Sequence, residues 1–181
     1  MNDRHDTCGQ AHALTVLTSI LPGHESALTR HLNALPSGPG SPLARVPGTH
    51  FARWVVIGDV VYEGQGARDH LTLGQLLFTS NFDGPLSPYL ESLRAGLGAG
   101  ADAIWQHCSG YPGSDDPSAF AGYLQAHQIK SSLFFAAYGE RTVEDVKRSL
   151  DVRRKLIGFA LNAQGMAAAD LQTAFRHTFA R

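Results

Sequence analysis

The chain has 181 residues, of which 43% are hydrophobic, 17% charged and 9% aromatic. Fifteen Lys and Arg stand against sixteen Asp and Glu, a net charge of −1, so the basic surface typical of a nucleic-acid-binding protein is not expected. No apolar run approaches the roughly 18 residues of a membrane span, and the polar start does not resemble a signal peptide. Two cysteines are too few for a disulfide framework. We therefore expect a cytoplasmic protein without a nucleic-acid or membrane partner.

The first half of the chain predicts three strands and one helix. Residues 1–11 are polar and are predicted to be a disordered tail. Alternating, β-branched residues predict a strand over 12–20, and leucines at helical spacing predict a helix over 24–35. The second and third strands are predicted over 49–60 and 75–82.

The second half predicts helices around a single strand. Ser87 is the expected cap of the next helix, with a proline at its first position. Short helices are predicted near 102–107 and 118–127, and the fourth strand over 132–138. A capping pattern at Thr142 starts a long helix, and an Ala-rich helix closes the chain.

This order of elements predicts an α+β fold. Strand-helix-strand occurs twice, which is the split βαβ, ferredoxin-like arrangement: a four-stranded antiparallel sheet with helices on one face. Residues 12–181 are predicted to form a single domain that ends in the additional C-terminal helices.

Both faces of the predicted sheet are apolar. The second strand places Phe51, Val55 and Ile57 on one face and Ala52, Trp54 and Val56 on the other. A bare apolar sheet face is rare on a monomer, so we expect a homodimer packed sheet to sheet. Folding of the terminal helices over the second face is the alternative.

Three segments carry a resemblance to a known superfamily. They are His50-Phe-Ala-Arg-Trp54, Leu77-Phe-Thr-Ser-Asn-Phe-Asp-Gly84 and His107-Cys-Ser-Gly-Tyr-Pro112. Together with the order of elements over residues 12–161, they resemble an uncharacterised bacterial branch of the dimeric α+β barrels. This superfamily includes cofactor-free monooxygenases, polyketide cyclases, chlorite dismutases and dye-decolourising peroxidases. The resemblance implies a dimeric barrel with a small-molecule site and either no cofactor or heme, although the Gly-x-x-Asp-Gly heme signature is missing.

Arg53 is the most informative candidate residue. It shares a strand face with Phe51 and Val55, so its guanidinium is predicted to be enclosed and to need an acceptor. Asp83, at the end of the third strand, is one candidate partner, and a substrate carboxylate or enolate oxygen is the other. Asp83 and Asn81 are also ordinary turn residues before Gly-Pro.

Two histidines are candidates for proton transfer or iron ligation. His50 is predicted on the opposite strand face from Arg53, as a general base or as a half-buried structural residue. His107 stands next to Cys108, but no second pair at ligand spacing supports a structural zinc site. A buried free thiol is the simpler interpretation of Cys108.

The sequence therefore predicts a small-molecule enzyme of the oxidoreductase or cyclase/isomerase type. Arg53 would stabilise an oxyanion, His50 would transfer the proton, and Asp83 completes the predicted catalytic set. The predicted substrate-binding residues are Phe51, Val55, Phe78, Asn81, Phe134 and Tyr138. One alternative is a heme-binding, peroxidase-like protein with His50 or His107 as the iron ligand. Another is a non-catalytic binding or assembly domain.

Overall fold

The computed structural model describes residues 6–61 and 68–179 and shows an α+β architecture built on a four-stranded antiparallel sheet. The strands are β1 (Thr7–Cys8), β2 (Ala11–Ser19), β3 (Thr49–Val61) and β4 (Arg68–Asp83). Their order across the sheet is β1-β2-β4-β3. The architecture is compatible with the ferredoxin-like fold, which confirms the predicted fold class at that level.

Six α-helices accompany the sheet within the described residues. They are α1 (Glu25–Ala34), α2 (Leu86–Leu97), α3 (Ala99–Trp105), α4 (Pro117–Ala126), α5 (Val143–Asn162) and α6 (Ala168–Phe179). The chain divides into two compact units, Met1–Thr142 with the sheet and α1–α4, and Val143–Arg181 with α5 and α6. The single domain over 12–181 stays a prediction.

The core of the first unit lies between one face of the sheet and α1–α4. Alternate residues of β4 point into it, and Phe78 is 0% exposed. Phe78 stacks on Trp54 of β3 with ring centroids 5.3 Å apart, and Trp105 of α3 meets Phe78 edge-on at 5.6 Å. Burying side chains of this size contributes about 1.5–3 kcal/mol each, so this face accounts for much of the folding free energy.

The predicted fourth strand over 132–138 is wrong, because these residues have no regular secondary structure. The chain reaches the free edge of β2 a few residues earlier. Gln128 forms an isolated antiparallel bridge with Val16, and the backbone N–H of Ile129 donates to the carbonyl of Thr15 at 2.8 Å. The strand position beside β2 is therefore only briefly occupied by this part of the chain.

The predicted N-terminal tail also differs from the structure. Residues 6–11 are ordered, whereas residues 1–5 of the predicted tail lie outside the described residues. Thr7–Cys8 pair with β2 as β1, and Asp6 is 5% exposed. The Asp6 carboxylate accepts the backbone N–H of Ser131 at 2.8 Å. A side chain thus satisfies a backbone donor just before the segment of the predicted fourth strand.

The helix boundaries follow the sequence signals with small shifts. α1 and α4 lie within one residue of their predicted limits. α2 begins at Leu86, so Pro85, and not Ser87, occupies the N-cap position. Proline suits this position because its fixed φ leads into the helix and its missing N–H costs no hydrogen bond there.

The second unit is a pair of helices held by aromatic contacts. Phe159 of α5 lies 5.6 Å from Phe175 and 5.7 Å from Phe179 of α6, measured between ring centroids. The long helix predicted after Thr142 is confirmed as α5. None of the described helices combines the length and apolar character that a membrane crossing requires.

Candidate binding site on the open sheet face

The two faces of β3 have opposite environments. Ala52 and Trp54 pack against the core of the first unit. Phe51 and Val55, on the other face, are 76% and 39% exposed. The predicted division of this strand between two faces is therefore confirmed. We call the face that carries Phe51, Arg53 and Val55 the open face.

A cavity of ≈ 540 Å³ lies on the open face. Its wall includes Phe51, Arg53, Thr79 and Asn81 from the strands, and Ser131 and Phe134 from the segment that follows α4. Phe51 pairs directly with Asn81 across β3 and β4, and Arg53 pairs with Thr79. The strand register therefore brings Phe51 and Asn81 close to Arg53. Phe134, a third predicted binding residue, joins the same cavity wall from the segment after α4. The volume lies in the usual range of ligand sites, about 300–1,000 Å³.

Arg53 is exposed in the single chain, not enclosed as predicted. Its predicted partner, Asp83, hydrogen-bonds His50 instead. Among the described residues, no carboxylate forms an ion pair with Arg53. Its guanidinium is therefore available to an anionic group in the cavity, and a planar fork of donors suits a carboxylate or an enolate oxygen.

His50 and Asp83 form a close polar pair at this end of β3 and β4. Nε2 of His50 lies 2.7 Å from Oδ1 of Asp83, and each side chain is 18% exposed. The register of β3 against β4 shifts between Thr49 and Phe51, so His50 is the extra residue of a β-bulge. A bulge redirects the side chain that it inserts. The prediction placed His50 on the opposite face from Arg53 by simple alternation along the strand. The inserted residue breaks this alternation at His50, so the prediction does not hold.

The hydrogen bond gives the imidazole a defined orientation. When His50 is neutral, Nε2–H donates to the carboxylate and Nδ1 keeps its lone pair. His50 and Asp83 are not part of the cavity wall, but His50 precedes Phe51 directly and Asp83 follows Asn81 by two residues, so each is close in sequence to a wall residue.

Three predicted binding residues lie elsewhere. Phe78 is part of the core on the helix-covered face, so its predicted place beside Arg53 is wrong. Val55 is on the open face but outside the cavity wall, and Tyr138 is 80% exposed and also outside it. Alternation already assigns Phe78 to the face of Leu76. Tyr138 was assigned as part of a strand that does not form.

His107 lies at the other end of β2 from the cavity. The backbone N–H of Leu21 donates to its carbonyl at 2.8 Å, and its Nδ1 lies 3.1 Å from Nδ1 of His24. The neighbouring Cys108 is 3% exposed and accepts a hydrogen bond from the Thr18 hydroxyl at 3.3 Å. Burial raises the pKa of the Cys108 thiol, so the interpretation as a buried free cysteine is confirmed.

The predicted heme ligands do not fit iron ligation at this cavity. Asp83 holds Nε2 of His50, so only Nδ1, the nitrogen nearer its own backbone, is left for a ligand. His107 lies away from the cavity and faces His24. The described residues also contain no group of three or more His, Cys, Asp or Glu side chains arranged for a metal ion.

Sequence reasoning missed two features, one in the cavity and one outside it. Ser131 joins the cavity because the segment after α4 passes over the edge of the sheet. The contact between His24 and His107 joins residues 83 positions apart, and no local spacing signals such a contact.

Comparison with family models, with curated proteins and with solved structures gives no significant match to this chain. The resemblance to the dimeric α+β barrels stays a prediction from the three sequence segments and from the predicted order of elements, of which the fourth strand does not form.

Proposed function

We propose that this chain is a small-molecule enzyme of the oxidoreductase or cyclase/isomerase type, acting as a homodimer related to the dimeric α+β barrels. The observation that supports this most is the placement of Arg53 in the wall of a cavity, three residues along β3 from His50, which is hydrogen-bonded to Asp83. A cation without an ion pair among the described residues and a base oriented by a carboxylate are the two groups that proton abstraction next to an oxyanion requires.

Arg53 is the anion-binding group of the proposal. Its guanidinium can donate two parallel hydrogen bonds to a carboxylate or an enolate. Phe51 and Phe134 supply apolar surface in the same cavity, which suits a flat or aliphatic substrate body. The Asn81 side chain, directly opposite Phe51, adds an amide donor and acceptor.

His50 is the proton-transfer group. Its Nδ1 takes a proton from the substrate carbon or hydroxyl while Asp83 holds the ring through Nε2. The electron pair left on the substrate becomes an enolate or phenolate, whose charge Arg53 stabilises. The same proton returns from Nδ1 at the end of an isomerisation or cyclisation. A positioned acid–base residue contributes about 10²–10⁴ in rate.

A second copy of the chain would complete the site. The open face leaves Phe51 76% exposed, and the segment after α4 exposes Leu133, Phe135 and Tyr138 at 86%, 78% and 80%. Exposed apolar side chains in such number favour association, and a two-fold dimer is the commonest closed form. Covering the cavity would exclude water and strengthen the attraction between Arg53 and an anionic substrate.

The proposal is tested by proton exchange into small enolisable acids. We expect the full chain in deuterium oxide to catalyse exchange at the carbon next to the ketone in some members of a panel of aryl and alkyl keto acids, measured by mass spectrometry. His50→Asn should slow this exchange by about 100-fold or more, and Asp83→Asn should slow it less.

His177→Asn is the matched control, because His177 is an exposed histidine of α6 in the second unit. Exchange that persists at the wild-type rate in His50→Asn would contradict the assigned base. A panel without any exchange above the buffer rate would contradict the proposed reaction class.

A further inference from the structure

A pair of histidines outside the proposed site has the geometry of a metal-binding pair. Nδ1 of His24 and Nδ1 of His107 are 3.1 Å apart, and the two rings meet edge to face with an interplanar angle of 69°. We propose that His24 and His107 bind one divalent transition-metal ion, such as Cu²⁺ or Zn²⁺, through these two nitrogens. This inference does not depend on the proposed enzymatic function.

Backbone hydrogen bonds to Leu21 hold the backbone of both histidines close together. The N–H of Leu21 donates to the carbonyl of His107 at 2.8 Å, and the carbonyl of Leu21 accepts the N–H of His24 at 3.0 Å. The bridge between Ile20 and Cys108 fixes the adjacent residues. The approach of the two rings therefore does not depend on a flexible loop, and a metal would find its ligands already positioned.

The separation of the two nitrogens agrees with metal coordination. The two Nδ1 atoms are 3.1 Å apart. If each forms a metal–nitrogen bond of about 2.0–2.1 Å, the angle between the two bonds at the metal is about 100°. That angle lies between the square-planar and the tetrahedral values, which Cu²⁺ and Zn²⁺ respectively prefer. Imidazole nitrogen is a good ligand for both ions.

A shared proton is the competing explanation of the same distance. One neutral histidine could donate Nδ1–H to the other, which needs one particular tautomer of each ring. The pair is exposed to solvent, so an ion can reach it from water. Because the described residues offer no third ligand group, the remaining coordination positions belong to water or to a small ligand.

Metal titration of the full, tag-free chain distinguishes the two explanations. We expect calorimetry with Zn²⁺ to show one ion per chain, and Cu²⁺ to bind more tightly, as its place in the stability order requires. The electron paramagnetic resonance spectrum of the Cu²⁺ form should show coupling to two nitrogen nuclei. His24→Gln and His107→Gln should each weaken Zn²⁺ binding at least about tenfold, since each removes one of two protein ligands.

His177→Gln is the control for binding at an isolated surface histidine, and it should leave the affinity unchanged. Zn²⁺ should also raise the unfolding temperature of the wild type but not that of His24→Gln. His24 is exposed, so this variant keeps the fold, and circular dichroism checks that it does. Zn²⁺ affinity that is unchanged in both His24→Gln and His107→Gln overturns the proposal, as does an equal loss in His177→Gln.

Discussion

The two faces of the sheet use the same residue types for different purposes. Phe78 of β4 points to the helices and is 0% exposed, whereas Phe51 of β3 points away from them and is 76% exposed. Phe78 contacts Trp54 and Trp105, while Phe51 borders a cavity. The comparison teaches that stability is concentrated on one face, which leaves the other face available for a ligand or a second subunit.

Polar groups differ between the two faces in another way. On the covered face, the Ser80 hydroxyl lies 2.5 Å from the Tyr89 hydroxyl, which also lies 3.3 Å from the Thr49 hydroxyl. The indole N–H groups of Trp54 and Trp105 are buried on the same face without a hydrogen-bond partner among the described residues. On the open face, Arg53 is exposed and has no ion pair among the described residues.

The largest expected effect is a core truncation on the covered face. Phe78→Ala should reduce the free energy of unfolding by about 3–5 kcal/mol, because it removes a buried ring and leaves a cavity. Phe51→Ala is the matched control on the open face. It should change the free energy of unfolding little at concentrations where the chain is monomeric. Chemical denaturation measures both. Equal losses in the two variants would show that the faces do not differ as described.

A smaller effect is expected from the hydroxyl network of the covered face. Tyr89→Phe removes the partner of Ser80, whose side chain is 2% exposed, and should cost about 1–3 kcal/mol because a buried hydroxyl loses its hydrogen bond. Tyr138→Phe is the control, since Tyr138 is 80% exposed. Thermal and chemical denaturation measure the stability of both variants. Equal losses of stability in Tyr89→Phe and Tyr138→Phe would contradict this account.

On the open face, we expect a loss of binding without a loss of stability. Arg53→Ala should stay within about 0.5 kcal/mol of the wild type in unfolding. It should weaken binding of an aromatic carboxylate by about tenfold, or 1.4 kcal/mol, in a calorimetric titration. Arg30→Ala, on the exposed side of α1, should bind as the wild type does. A strongly destabilised Arg53→Ala would mean that the guanidinium serves the fold.

The smallest expected effect is the pH dependence at His12, near the edge of the sheet. Burial lowers the pKa of His12 from its ordinary value of 6.5, and the charge of Asp6 opposes this only in part. The unfolded chain therefore takes up the proton more readily than the folded chain, and the free energy of unfolding should fall as the pH falls below about 6.5. His12→Gln should remove this part of the dependence. Denaturation curves between about pH 7 and pH 5 measure the free energy of unfolding of both chains. A wild type that became more stable relative to His12→Gln as the pH fell would contradict the assigned direction.

Sequence reasoning succeeded where one strand or helix determines its own pattern. The alternation along β3 was enough to separate Phe51 from Trp54, and helical spacing located α1. It failed where a partner distant in sequence decides the structure. The bulge at His50 is visible only in the register with β4, and the Asp6 carboxylate that receives Ser131 lies 125 residues from it. Asp83 pairs with His50 and not with Arg53, which lies opposite Thr79 in the register of β3 and β4.

The most direct test of the central claim, that a second copy covers the open face, is light scattering of the full chain and of one charged variant. We predict a dimer for the wild type and a folded monomer for Phe51→Asp, because covering this face with a second copy would remove the new carboxylate from water, a cost that the apolar Phe51 side chain does not have. Val152→Asp, at an exposed apolar position of α5, should remain dimeric. A monomeric wild type, or a Phe51→Asp variant that dimerises as before, would contradict the account.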